Sequence, residues 1–207
     1  MNYMKPKLVM ALGSSGGYRA FLDIMENVDP DMIKNGMIYL VDHVGPTEEE
    51  ISMYNEKGFD VIGNTVRHRE KLRSGTVKFQ HDAYETYDED RRIMVISPNR
   101  KGLHFVERKA DRKMMGLSYS VKSALDSGYG QDMMTLFLSG AGDDGCGVIG
   151  DLRESGSKVI IQEPGTAIIG ELLWNALYRS MYSDIPPMVI EPKKISGEIN
   201  DFLFEKL

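Results

Sequence analysis

The chain of 207 residues has a single cysteine, Cys146, so neither an internal disulfide framework nor a cysteine-ligated zinc site can be built. It lacks any apolar run near the roughly 20 residues that cross a bilayer as a helix. Its first apolar stretch, Leu8-Val9-Met10-Ala11-Leu12, is too short for the core of a signal peptide, which makes the cytoplasm the default location. Excess positive charge is missing too. The 25 Lys and Arg against 31 Asp and Glu leave a net charge of −6, with a pI near 5.3. Both argue against general binding to nucleic acid, which needs a basic field to engage phosphates. There is no internal repeat and no low-complexity tract. With 42% hydrophobic and 27% charged residues, the composition excludes disordered, collagenous and coiled-coil classes. The length favours one domain spanning 1–207 over two small ones.

What the chain does have is an alternation of apolar strands with amphipathic helices. Strands are expected at 7–12, 37–41, 59–62, 134–138, 158–161 and 188–190. Helices are expected at 18–25, from 47 onward, and at 117–125, 148–152, 167–178 and 195–204. Residues 64–116 are less regular, with charge runs at 67–71 and 88–92 and short strands at 76–79, 93–96 and 103–106. The pattern predicts an α/β fold with a doubly wound, mainly parallel sheet, helices on both faces, and an antiparallel edge or hairpin. Ligands of such sheets sit beyond the carboxyl ends of the strands. Three segments with chemical potential fall there: Ser14-Ser15, His43 and Asp144.

Gly13-Ser14-Ser15-Gly16-Gly17 forms a strand-to-helix turn whose N–H groups favour an anion, whether a phosphate or a developing oxyanion. Its plain alternative is a tight turn with a serine cap. The dinucleotide pattern GxGxxG and the phosphate-loop pattern are both absent. His43 at a strand end is, taken alone, more often a packed or hydrogen-bonded residue than a catalyst, whereas His68 and His81 lie in polar stretches. Asp143-Asp144 reads as a solvated turn, a magnesium site, or the carboxylate that orients a catalytic histidine. A hydroxyl nucleophile needs a base within reach, and the base an orienting acid, which Ser, His and Asp on one rim would supply. The order Ser, His, Asp differs from that of α/β-hydrolases, and no G-x-S-x-G elbow is present.

These segments together resemble the catalytic domain of the CheB protein-glutamate methylesterase family. That family's first strand ends in a motif like G-A-S-T-G-G, and Leu12-Gly13-Ser14-Ser15-Gly16-Gly17 lies over it. The gap-free match puts Ser14 on the nucleophile, and a gapped one puts Ser15 there. Asp42-His43 matches the Gln-His pair at the end of the second strand. The 138–147 segment, LSGAGDDGCG, fits L-T-G-M-G-x-D-G-A-x-G with Asp144 on the catalytic acid, and Gln162-Glu163-Pro164-Gly165-Thr166-Ala167 fits Q-D-P-x-x-A. Leu72-Arg73-Ser74-Gly75-Thr76-Val77 is similar to the turn before a middle strand. Three departures stand out: Leu12 for the first glycine, Glu171-Leu172-Leu173 for Gly-Met-Pro, and Met115-Gly116-Leu117-Ser118 for Pro-Ser-Val/Ile-Asp.

The resemblance implies hydrolysis of glutamate methyl esters on the cytoplasmic domain of methyl-accepting chemoreceptors, with glutamine deamidation as a related reaction. It assigns Ser14 as nucleophile, His43 as base and Asp144 as orienting acid, with the Ser14–Gly17 N–H groups as oxyanion donors. It implies no cofactor or metal, no nucleic acid and no membrane insertion. The chain begins too close to its first strand for the family's N-terminal receiver, so control by receiver phosphorylation is not expected. In this reading Cys146 packs beside the acid and is not a nucleophile. Two other readings remain: a non-catalytic relative that binds protein, and an α/β domain that binds nucleotide or phosphate.

Overall fold

Lys7-Leu8-Val9-Met10-Ala11-Leu12-Gly13 form strand β1, and every one of these residues is buried. A strand with no polar alternation is what a parallel sheet covered on both faces demands. Its side chains divide by parity, as the two-residue repeat requires. Leu8, Met10 and Leu12 enter one core cluster, while Val9 and Ala11 enter another on the opposite face.

The computed structural model describes residues 7–33, 36–42, 47–56, 59–62, 65–68, 92–96, 103–107, 116–126, 128–182 and 186–204. After β1 come α1 (Gly17–Met25), α2 (Pro30–Ile33), β2 (Gly36–Asp42), α3 (Glu48–Glu56), β3 (Phe59–Ile62), β4 (Thr65–His68), β5 (Arg92–Ile96) and β6 (Leu103–Glu107). Then follow α4 (Gly116–Asp126), β7 (Met133–Phe137), α5 (Ile149–Glu154), β8 (Lys158–Gln162), α6 (Glu171–Ser180), β9 (Met188–Ile190) and α7 (Pro192–Phe204). The main sheet has the order β3-β4-β2-β1-β7-β8-β9. Its five strands from β2 to β9 are parallel, and the β3–β4 hairpin adds an antiparallel edge against β2. β5 and β6 pair antiparallel as a separate ribbon. This is the expected doubly wound architecture with its antiparallel edge.

Helices cover both faces. Leu117, Val121 and Ala124 of α4, Ile149 and Leu152 of α5, and Leu172, Leu173 and Ala176 of α6 pack with the even-numbered face of β1. Phe21, Leu22 and Ile24 of α1 and Ile195, Ile199 and Phe202 of α7 pack with the odd-numbered face. The apolar stripe of α1 accounts for its place: Tyr18, Phe21, Leu22 and Met25 recur at three- and four-residue spacing and are buried.

The chain leaves β1 toward β2 on one side and returns to β7 on the other. The strand order therefore reverses at β1, which makes the carboxyl ends of β1 and β7 the crevice of a doubly wound sheet. β4 was not expected, since Arg67 and His68 read as part of a charge run. A strand expected at 76–79 lies outside the described residues. Among the described residues, no helix is long and apolar enough to cross a membrane.

Candidate active site

Ser14 follows β1 directly and is 7% exposed. Its N–H donates to the carbonyl of Ser139 (3.1 Å), and its own carbonyl accepts from the Gly17 N–H (2.7 Å). Gly16 takes φ 86°, a left-handed conformation that glycine adopts without a steric cost. On the other side, a Cβ at Gly140 would lie 2.8 Å from the Ser14 Cβ and 3.0 Å from its nitrogen. Ser14 is thus clamped between its own tight turn and the glycine of a second loop. The expectation that the whole turn offers N–H groups to an oxyanion is narrowed here. Those of Ser14 and Gly17 are engaged, and among the described residues those of Ser15 and Gly16 have no acceptor.

β2 ends beside this turn, with Asp42 paired to Gly13. The Asp42 side chain is buried, and its Oδ2 fills the space a Cβ would need at Gly13 (2.7 Å) and also at Gly17. Both glycines therefore admit a carboxylate against the first turn of α1. His43, the next residue, lies outside the described residues, and so does His81. His68 closes β4 opposite Phe59, and His104 lies in β6 opposite Val95.

Asp144 lies in the loop that follows β7 and is 6% exposed. Its Oδ2 accepts from the Leu117 N–H (2.8 Å), and its Oδ1 from the Ser118 N–H (3.0 Å) and the Ser118 hydroxyl (2.7 Å). The carboxylate thereby caps the first turn of α4, where unpaired N–H groups and the helix dipole favour a negative charge. Ser118 returns the contact, its Oγ accepting from the Gly145 N–H (2.9 Å). Asp143 is exposed, so the two adjacent carboxylates have different surroundings. Among the described residues, no group of three or more His, Cys, Asp or Glu side chains is placed to hold a metal ion.

Ser139 ties the two halves of the site together. Its hydroxyl contacts the Ser15 carbonyl (2.8 Å) and the Ile169 carbonyl (3.2 Å), and accepts from the Ile169 N–H (3.0 Å). Its N–H donates to Oε1 of Gln162 (2.9 Å). Gly140 continues the seam: its N–H donates to the Ile169 carbonyl (2.8 Å), and its carbonyl accepts from the Leu172 N–H (2.9 Å). Asn175 of α6 donates to the Gly142 carbonyl (2.8 Å). The Leu172-Leu173 departure from the family pattern thus has a structural account. Both side chains are fully buried core, and only Glu171 faces solvent.

Cys146 is 2% exposed, and its Sγ donates to the Leu172 carbonyl (3.6 Å). Burial, then the charge of Asp143, push its thiol up to about 12. A thiol kept protonated is a poor nucleophile, in keeping with a packing role.

The roles of Ser118, Ser139, Gln162 and Asn175 were not read from the sequence. Ser139, Gln162 and Ser118 all lie inside segments quoted above. Asn175 gives no such signal.

A family model described as CheB methylesterase matches residues 9–190. Among solved structures, the chain is similar to the crystal structure of the Thermotoga maritima CheB methylesterase catalytic domain. The two share 16% sequence identity with a TM-score of 0.62, over 96% of this chain and 99% of that one. At this identity the likeness shows the fold. No curated protein sequence matches the chain significantly.

Proposed function

The chain belongs to the CheB methylesterase family, whose members are protein-glutamate methylesterases of chemotaxis, and we propose that Ser14, His43 and Asp144 carry its ester hydrolysis. The observation that supports this most is the clamp on Ser14. A buried serine at the β1–α1 turn rests on Gly140, in the loop that also holds Asp144. These segments lie at the reversal of strand order, where such sheets place their chemistry.

In this reading Ser14 Oγ attacks the carbonyl carbon of a methyl-esterified glutamate side chain while His43 takes its proton. The charge on the carbonyl oxygen develops toward the Ser15 and Gly16 N–H groups. The C–O bond to methoxide breaks, and His43 returns the proton so that methanol leaves. Water, deprotonated by His43, then cleaves the acyl-serine ester and releases the glutamate carboxylate and Ser14. Asp144 orients the imidazole and favours its cation. Glutamine deamidation would follow the same course with ammonia as leaving group. The substrate is the cytoplasmic domain of a methyl-accepting chemoreceptor, and the reaction takes place in the cytoplasm.

Methanol release from a methylated chemoreceptor fragment tests the assignment. Ser14→Ala and His43→Ala are expected to lower kcat by about 10³-fold or more, and Ser15→Ala by less than about tenfold. Activity that survives both Ser14→Ala and His43→Ala overturns the triad. Activity lost only with Ser15→Ala moves the nucleophile to Ser15.

A further inference from the structure

Helix α6 buries one side and leaves the other bare. Leu172, Leu173, Ala176 and Ser180 face the core. On the outer face Trp174 is 63% exposed, Tyr178 57%, and Met181 and Tyr182, just past the helix end, 78% each. The spacing of 174, 178, 181 and 182 is that of one helical stripe. Eight steps of 1.5 Å from 174 to 182 make this stripe about 12 Å long. Tyr178 and Tyr182 are already ordered against each other, edge to face at 5.6 Å with their hydroxyls 3.0 Å apart. Large apolar side chains exposed as a contiguous group mark a surface that meets a partner.

The ridge runs up to the candidate active site. Ile168, 69% exposed, has its Cβ 2.9 Å from where a Cβ at Gly16 would sit, two residues from Ser14. The ring of Trp174 lies 3.7 Å from the corresponding position at Gly170. The N-terminus of α6 is bonded to Gly140, which also touches Ser14. A protein-glutamate methylesterase must seat another protein around its nucleophile, and the ridge is continuous with that contact.

We propose that the ridge of Ile168, Trp174, Tyr178, Met181 and Tyr182 docks the helix of the substrate protein that carries the esterified glutamate. This deepens the reading above and rests on it. The occupant is an amphipathic helix whose apolar stripe flanks the reactive side chain. A convex stripe at three- and four-residue spacing packs into the grooves of another helix. Its helical part, from Trp174 to Tyr178, bonds its backbone along the helix and offers an extended peptide no ladder. Between Trp174 and Tyr178 the helix carries no charge, and Glu171 and Arg179 lie exposed at the two ends of that stretch, so the aromatic area carries most of the contact.

The test compares wild type with Trp174→Glu/Tyr178→Glu on two substrates: a methylated chemoreceptor cytoplasmic fragment, and the γ-methyl ester of an N-acetylated glutamic acid amide. The expected result is a fall of at least about tenfold in kcat/KM on the fragment, borne mainly by KM, with less than about twofold change on the small ester. Equal losses on both, or none on the fragment, overturn the docking site. Concentration-dependent dimerisation that the substitutions abolish overturns it in favour of a second copy. Trp174 is the only tryptophan of the chain, so its emission reads binding without turnover. If wild type cleaves neither ester, the hydrolase reading fails, and an emission shift on adding the fragment still decides the ridge: a blue shift supports it and none overturns it.

Discussion

Asp144→Asn separates what this carboxylate does for the fold from what it does for the reaction. The amide nitrogen must replace either Oδ2, which faces the Leu117 N–H, or Oδ1, which faces the Ser118 N–H and hydroxyl. In both placements an amide donor meets a backbone donor in the first turn of α4. A partly or fully buried donor left without an acceptor costs about 1–3 kcal/mol. Losing the negative charge at the helix N-terminus adds about 0.3–1 kcal/mol. Urea unfolding at neutral pH should therefore show a loss of about 1.3–4 kcal/mol with an unchanged slope. Ser118→Ala should also destabilise, because the Gly145 N–H then loses its acceptor. The two changes share one network and should be non-additive by at least about 0.5 kcal/mol. Kinetics then divides the roles. Under conditions where both variants are folded, Asp144→Asn should lower kcat by about 10²–10⁴-fold as an orienting acid, and Ser118→Ala far less. A stability loss below about 0.5 kcal/mol for Asp144→Asn would refute the capping argument, and equal kcat losses in the two variants would refute the separate catalytic role.

Three further outcomes are expected. Thr135 Oγ1 is buried in β7 without a hydrogen-bond partner among the described residues, so Thr135→Val should raise stability by about 1 kcal/mol and the Tm by about 2–4 °C in a thermal melt. Gly140→Ala places a methyl 2.8 Å from the Ser14 Cβ, and should lower stability by about 1–3 kcal/mol and ester turnover more than the unfolded fraction explains; normal turnover would refute the clamp. Burial, aided by Asp143 and Asp132 respectively, pushes the Cys146 thiol and the Tyr129 phenol up to about 12, against 9.0 and 10.0 for free groups. The unfolded chain releases these protons first, so these two groups should leave stability unchanged below pH 9 and lower it from there toward 12. Urea midpoints across that range should decline less in Cys146→Ala, and a thiol that reacts with iodoacetamide in the native protein at pH 8 would count against the buried state.

The parallel strands were legible because burial on both faces writes them as unbroken apolar runs, as in β1 and in Val159-Ile160-Ile161 of β8. β4 was not, because Thr65-Val66-Arg67-His68 earns its place through pairing with β2 and β3 rather than through an apolar run. The helix expected from 167 starts at 171, since both backbone groups of Ile169 bond to Ser139 and Gly140 and hold the intervening residues out of the helix. The site followed the same division. Ser14 and Asp144 stood out because glycines surround them after apolar strands. The partners of Asp144, which lie 26 and 27 residues away at a helix start, depend on a tertiary meeting that no local pattern encodes.

The position of β1 has a consequence for how the chain folds. One edge pairs with β2, which follows within a few dozen residues, but the other waits for β7, with Leu8 opposite Met133. Until residues 133–137 leave the ribosome, a strand that ends up buried along its whole length carries an open edge. Pairings so distant in sequence close slowly, and an open apolar edge invites the wrong partner meanwhile. The N-terminal half should therefore lean on chaperones during synthesis. The site inherits that timetable, because the Ser14 N–H finds its acceptor on Ser139 only after β7 has docked.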